Sequence, residues 1–204
     1  MAGKVFFSVS MSLDGFMAPK SSSELMGQQW LKLQGWVLAT RFFRENLKFG
    51  EGGEEGRDND IARQTYARTG ASIMGKRMFD AGERMWPEEA PFHTPVFVLT
   101  HHARPSIEME GGTVFHFVDA SPPEALDLAQ EAAGALDVRI GGGPTVVRDF
   151  LAADLIDTLH VVQVPILLGR GTRLWDGLEG VDERYAVEAV SSPSGVTHLT
   201  FRRR

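Results

Sequence analysis

Hydrophobic and polar positions alternate with a period of two from Lys4 to Met11, which puts Val5, Phe7 and Val9 on one face of a predicted strand. Asp14-Gly15 turns this strand and Phe16-Met17-Ala18 resumes it, ahead of a polar loop over 20–28. The period then changes. Trp30, Leu31, Trp36, Phe42 and Phe43 follow a helical spacing from Trp30 to Leu47, with Gly35 as an interruption. A glycine-rich acidic stretch, Gly50 to Gly56, predicts a flexible loop, either a surface insertion or a mobile lid. Asp58 or Asn59 is placed to cap a helix from about Asp60 to Arg68, which Gly70 closes.

The remaining chain alternates strand and helix patterns. Ala71 to Met74, Pro95 to Thr100, Thr113 to Val118, Val138 to Ile140 and Thr158 to Pro165 read as strands. Short helical patterns run from Gly75 through Phe79 and from Val146 to Leu155, and a longer one from Pro123 to Leu136. Tyr185 to Val190 and Val196 to Phe201 flank Ser191-Ser-Pro-Ser-Gly195 and form a predicted C-terminal hairpin. Such alternation predicts an α/β fold with a mostly parallel central sheet, helices on both faces and a final antiparallel pair. No repeat or linker divides the chain, so residues 1–204 are expected to form a single domain.

Composition narrows the class. The 204 residues are 43% hydrophobic and 24% charged, ordinary values for a globular enzyme-sized chain. A formal charge of −6 argues against nucleic acid or an anionic membrane surface as partner. Cysteine is absent, which removes disulfides, thiol catalysis and cysteine-held metals. No run approaches the ~20 apolar residues of a membrane span, and the N-terminal apolar run is too short for a signal peptide. A cytoplasmic location is therefore expected.

The richest chemistry lies in Val138-Arg-Ile-Gly-Gly-Gly-Pro-Thr-Val-Val147. A strand ends at Ile140, glycines follow, and Pro144 suits the first position of a helix, where its missing N–H is not needed. Glycines let a ligand approach the backbone, and the free N–H groups of a helix start favour a phosphate. The dinucleotide fingerprint G-x-G-x-x-G is incomplete, because Val146 stands at its third glycine. A tight turn that binds nothing is the alternative. Two further strand ends carry cations, Gly75-Lys76-Arg77-Met78 and Thr100-His101-His102-Ala103-Arg104, and together the three turns suit a ligand bearing several phosphates. Gly70 to Arg77 approaches the P-loop pattern but has Arg77 where a Mg²⁺-binding hydroxyl is required, so nucleotide triphosphate hydrolysis is not expected. The histidines lack metal-ligand spacing, and no G-x-S-x-G elbow is present. The absence of an evident nucleophile suits chemistry carried by a cofactor.

The order of these motifs resembles the dihydrofolate-reductase-like superfamily, and most closely the C-terminal reductase domain of the bacterial riboflavin-biosynthesis deaminase-reductase. The resemblance rests on Val5 to Ala18, Ser72-Ile-Met-Gly-Lys-Arg-Met-Phe79, Val96-Phe-Val-Leu-Thr-His101, Ile140 to Val147 and Leu155 to Gly171, in family order over nearly the whole chain. It implies the three-layer reductase fold, a homodimer, NADPH as hydride donor and a small heterocyclic acceptor similar to the pathway's 5-amino-6-(5-phosphoribosylamino)uracil. By position, Gly75, Lys76, Arg77 and Met78 would hold the ribose-phosphate end, with Thr100 and His101 beside the adenosine 2′-phosphate. Gly141, Gly142, Gly143, Pro144 and Thr145 would cradle the pyrophosphate, and Ser10, Asp14, Gly15 and Phe16 would lie by the nicotinamide. Pro165, Leu167, Leu168 and Gly169 would wall the substrate pocket.

Dihydrofolate reductases carry an acid in the first helix, whereas the helix here offers Lys32, Arg41 and Arg44, with Glu45 only near its end. Dihydrofolate is therefore not the expected acceptor. No deaminase zinc motif precedes the domain, so a stand-alone reductase module is expected. Asp14 is the candidate catalytic carboxylate, or else a turn residue that holds the end of the first strand. A nucleotide-binding module without turnover, serving as sensor or assembly subunit, is the alternative function.

Overall fold

The computed structural model describes residues 3–21, 24 and 27–204; part of the polar loop expected over 20–28 lies outside these residues. The strands are β1 (Val5–Ser12), β2 (Phe16–Ala18), β3 (Thr69–Gly75), β4 (Pro95–Leu99), β5 (Ile107–Glu108), β6 (Val114–Val118), β7 (Asp137–Gly142), β8 (Thr158–Val164), β9 (Thr172–Arg173), β10 (Tyr185–Ser191) and β11 (Thr197–Arg203). The helices are α1 (Gln28–Leu38), α2 (Arg41–Asn46), α3 (Arg57–Ala67), α4 (Lys76–Gly82), α5 (Pro122–Ala133) and α6 (Pro144–Ala152).

A nine-stranded sheet has the order β10-β11-β8-β1-β7-β3-β4-β6-β5. Its centre, from β8 to β6, is parallel, and β11, β10 and β5 add antiparallel edges. Alternation of side chains sorts each strand between two faces. Val5, Phe7 and Met11 of β1, Ala71 and Ile73 of β3, and Val138 and Ile140 of β7 meet α5 and α6 in the main core. Ser8, Ser10 and Ser12 take the opposite face, under α1 and α3. There Leu33 packs on Val162 and Val164, while Met74, Val96, Val98, Phe115 and Phe117 gather around Phe79 of α4. This arrangement is the three-layer fold, with mostly parallel strands and a C-terminal antiparallel hairpin.

Local chemistry sets several boundaries. Helix α5 opens with Pro122 behind a capping box, in which Glu124 Oε2 accepts from the Ser121 N–H at 2.9 Å and from its hydroxyl at 2.6 Å. Helix α6 opens at Pro144, as the glycine-proline pattern predicts.

The expected single helix from Trp30 to Leu47 is instead two, and the break falls at Thr40, not at Gly35. Thr40 is extended, and its hydroxyl both caps α2 and donates to the Val37 carbonyl at 2.7 Å. Its neighbours are claimed by the acidic loop: the Glu54 N–H donates to Ala39 and its carbonyl accepts from Arg41. Gly53 permits this approach, since a Cβ there would stand 2.7 Å from the Arg41 backbone. The loop over 50–57 is thus exposed but tied back at Glu54.

Helix α3 also starts earlier than expected. Asp58 and Asn59 lie inside it instead of capping it, because both side chains find distant partners. Asn59 accepts from the Phe42 N–H at 2.7 Å, and Asp58 accepts from His198. Among the described residues no helix is long and apolar enough to cross a membrane.

Candidate active site

A cleft of about 640 Å³ opens on the α1/α3 face, where the carboxyl ends of β3 and β7 meet. That volume lies within the range of small-molecule and cofactor sites. Its floor is Ser8 and Ser10 of β1, Ser72 of β3, and Arg139 and Gly141 of β7. Trp30, Leu31 and Gln34 of α1 form one wall, and Ala62, Thr65 and Tyr66 of α3 form the other. Among the described lining residues there is no carboxylate.

At one end, Gly141, Gly142, Gly143, Pro144 and Thr145 all line the cleft. Gly142 has φ +112°, and a Cβ there would stand 3.1 Å from the Met78 sulfur. At Gly143 a Cβ would meet nothing within 4 Å, so the peptide faces open space. Gly143 precedes α6 without a side-chain cap. The first N–H groups of α6 therefore lack the partner that a Ser or Asp cap supplies.

Gly75, Lys76, Arg77 and Met78 also line the cleft, across from this turn. Their charges are not equivalent. Lys76 Nζ is held by both oxygens of Asp80, at 2.8 and 2.6 Å. Among the described residues Arg77 donates to the Lys20 carbonyl, at 3.0 Å, and pairs with no carboxylate. Ser10, on the floor, donates to Gln34 Oε1 at 3.2 Å and accepts from the Trp36 indole at 2.9 Å.

The other residues singled out from the sequence lie outside the lining. Asp14 Oδ1 accepts from the Ser12 hydroxyl at 2.6 Å and from the Leu168 N–H at 3.1 Å, and Oδ2 accepts from the Gly169 N–H at 2.7 Å. The Ser12 hydroxyl, followed by these amides, holds the Asp14 carboxyl down at about 2. This is the geometry of a turn clamp, with Asp14 joining the β1 turn to the segment after β8. Gly15 turns with φ +83°, and Phe16 is buried beneath the Arg173 guanidinium, 4.3 Å from its ring centroid. Their successors Met17 and Ala18 reach the cleft instead. Leu168 and Gly169 form the other half of the clamp, Leu167 is exposed, and neither these nor Pro165 is among the residues that line the cleft. Thr100 and His101 sit at the same sheet edge as Lys76, since Leu99 pairs with Gly75. Thr100 Oγ1 accepts from the His102 N–H at 3.1 Å, and the exposed His101 ring pairs with Asp119 at 2.8 Å.

Sequence reasoning passed over Ser8 and Arg139. The hydroxyls of Ser8, Ser10 and Ser12 alternate with the core residues of a buried strand, a polar stripe that marks a floor facing something other than core. Among the described residues Arg139 Nε is buried without a hydrogen-bond partner, and its guanidinium lies 5.3 Å from the Tyr66 ring centroid.

Sheet order and layers define an α/β protein with a glycine turn at the carboxyl edge of a parallel sheet, which is the dihydrofolate-reductase-like fold. The chain belongs to the RibD C-terminal domain family, which it matches over residues 3–196. It is similar in structure to a candidate riboflavin biosynthesis protein from Shewanella sp. PV-4, with a TM-score of 0.64 at 22% identity, covering 100% of this chain and 99% of that one. Dihydrofolate reductase from Enterococcus faecalis, solved with NADP(H) and RAB-propyl, superposes with a TM-score of 0.55 at 15% identity over 100% and 98% of the two chains. A pyrimidine reductase-like protein from Corynebacterium diphtheriae gives 0.55 at 15% over 99% and 92%. Among curated proteins none matches. Family and fold relatives support a reductase of this general kind.

Proposed function

We propose that the cleft binds NADPH and that the protein transfers its hydride to a small heterocyclic acceptor, of the kind met in the reductase step of riboflavin biosynthesis. The observation that carries this reading is the glycine turn: open backbone at Gly143 and an uncapped α6 start border a largely apolar cleft. These features fit a pyrophosphate at one end and a planar ring at the other. Gly141 to Thr145 would hold the pyrophosphate, and Gly75 to Met78 the adenosine-ribose side, with Arg77 as the cation left free for an added phosphate. Bound there, the cofactor supplies the hydride. The protein's part is to align the acceptor over the Ser8–Ser10 floor and to exclude water with Met17, Trp30 and Leu31. A cleft without a carboxylate does not offer the acid-to-pteridine contact of folate reduction.

The test is NADPH oxidation by the purified protein, followed by nicotinamide absorbance. Candidate acceptors are the riboflavin-pathway ribosylamino-pyrimidine phosphate and dihydrofolate. Oxidation with the pyrimidine supports the reading. NADPH binding without oxidation by either favours the binding-module alternative, and absence of NADPH binding overturns both.

A further inference from the structure

One charge on the floor of the cleft has no partner among the described residues. Arg139 sits in the middle of β7, where the register sets it beside Phe6 of β1 and Ser72 of β3. Paired residues of neighbouring strands leave a sheet on the same face, so all three project toward the α3 side. Arg139 and Ser72 both line the cleft, and Tyr66 of α3 faces the guanidinium. Among the described residues Arg139 donates no hydrogen bond and pairs with no carboxylate, and its Nε is buried without an acceptor.

The acids of the neighbouring elements are committed elsewhere. Asp137, two positions back on β7, accepts from the Lys4 N–H at 2.8 Å and pairs with Arg68 at 3.6 Å. Asp58 of α3 accepts from His198 at 2.9 Å. Asp60 of α3 and Glu188 of β10 border a separate open pocket of about 610 Å³ and not the cleft. Arg68 adds to the positive field: burial first, then the charge of Arg139, push its guanidinium below the usual value against the pull of Asp137. The floor hydroxyls of β1 are occupied as well. Ser8 Oγ lies 2.8 Å from His160 Nδ1, and Ser10 is held between Gln34 and Trp36.

A guanidinium has five N–H donors and no acceptor. Taking part of it out of water without a counter-charge is costly. The Tyr66 ring attracts the cation but leaves its in-plane N–H groups without acceptors. The orphaned donors point to a ligand that brings the anion. Position separates this ligand group from the cofactor's pyrophosphate. Arg139 precedes Gly142 by three strand positions, ~10 Å at the rise of a parallel strand. An anion at Arg139 thus lies back along the floor from the glycine turn.

We propose that Arg139, with Ser72 beside it, receives an oxyanion carried by the acceptor, a phosphate or a carboxylate, so that the cleft selects acceptors with an acidic arm over neutral ones. Naming the ligand as the acceptor rests on the reductase reading above; the anion site itself does not. A guanidinium gives two parallel N–H bonds to two oxygens of one phosphate or carboxylate, and the Ser72 hydroxyl adds a third donor. The ring of the acceptor is then left to the Ser8–Ser10 floor and the α1 wall. Arg139 touches the substrate away from the reacting atoms. Its contact is made in ground state and transition state alike, so its loss appears in KM and not in kcat.

The first test needs no turnover. The ¹H–¹⁵N signal of Arg139 Nε in the full chain is assigned by its absence in Arg139→Met. It is then followed as inorganic phosphate is added at constant ionic strength, with sodium acetate and sodium chloride as comparison titrants. A saturable shift with phosphate or acetate, and none with chloride, is expected, and the more effective of the two names the anion class. No saturable shift with either overturns the site. Arg139→Met is expected to melt no lower than the wild type, because it removes a partly buried charge that has no partner. A purely structural arginine would lower the melting temperature on removal and give no anion response in the wild type.

The second test compares the acceptor that oxidises NADPH with its form lacking the anionic group, which for the riboflavin-pathway pyrimidine is the dephosphorylated compound. Arg139→Met is expected to raise KM for the anionic form about 30-fold, the scale of a lost charge-assisted pair, with kcat and NADPH affinity within about twofold. KM for the neutral form does not change. Arg139→Lys recovers part of the loss, since it keeps the charge without the fork. Equal KM changes for the two forms overturn the selection. Anion binding at Arg139 without NADPH oxidation removes the reductase reading, and the acceptor assignment with it, but leaves the anion site. NADPH oxidation without anion binding at Arg139 removes the site alone.

Discussion

The ends of β7 and β4 lie on the same edge of one parallel sheet, and both suggest anion sites in the sequence, yet the fold treats them differently. After β7 the potential donors are backbone N–H groups, those of Gly143 and of the first turn of α6 beyond Pro144, and these residues line the cleft. After β4 they are side chains, and other side chains have claimed them. His101 pairs with Asp119, and Arg104 pairs with Glu83 while packing 4.4 Å from the Phe117 ring centroid. The β3 turn shows both outcomes at once: Lys76 is paired with Asp80, and among the described residues Arg77 pairs with no carboxylate. A cation written in sequence is available to a ligand only if the fold leaves it unpaired. A helix start without a side-chain cap is available by construction.

Five substitutions probe this contrast, from the largest effect to the smallest. Gly142→Val places a β-branched residue at φ +112° and a Cβ 3.1 Å from Met78. It is expected to weaken NADPH by at least about 100-fold, roughly 3 kcal/mol, with a thermal melt to show that the variant folds. Arg77→Ala is expected to cost about tenfold in NADPH affinity and little in NADH affinity, as for loss of one charge-assisted contact. Lys76→Ala, already paired, changes neither to the same extent.

Asp14→Asn leaves cofactor affinity intact and lowers the melting temperature at neutral pH. The Asp14 carboxyl is lowered on folding from 3.8 to about 2, so its contribution is present above pH 3.8 and disappears as pH falls to about 2. Wild type and variant melting temperatures should therefore converge across that window. His101→Ala is expected to change NADPH affinity by less than about threefold, since an exposed pair contributes little; a larger loss would mean that the β4 end joins the cofactor site after all.

Sequence and structure agree where the information is local. The strand-glycine-proline-helix run at 138–147, the Asp14-Gly15 turn and the C-terminal hairpin each depend on neighbours in the chain, and each forms. They part where a distant residue decides. Thr40 breaks the first helix because Glu54 pairs with its neighbours. Asp58 looks like a helix cap, but its partner His198 is 140 positions away. The cleft floor was hidden for the same reason: β1, β7 and β3 are side by side only in the sheet. The signal that remained was the serine stripe on β1, polar where a core strand is otherwise apolar.

The most direct test of the central claim is a fluorescence titration with NADPH and NADH, run on the wild-type chain and on folded Gly142→Val. Saturable, NADPH-selective binding by the wild type and loss of binding in the variant are expected. Equal binding by both proteins, or none by the wild type, contradicts a cofactor site at the end of β7.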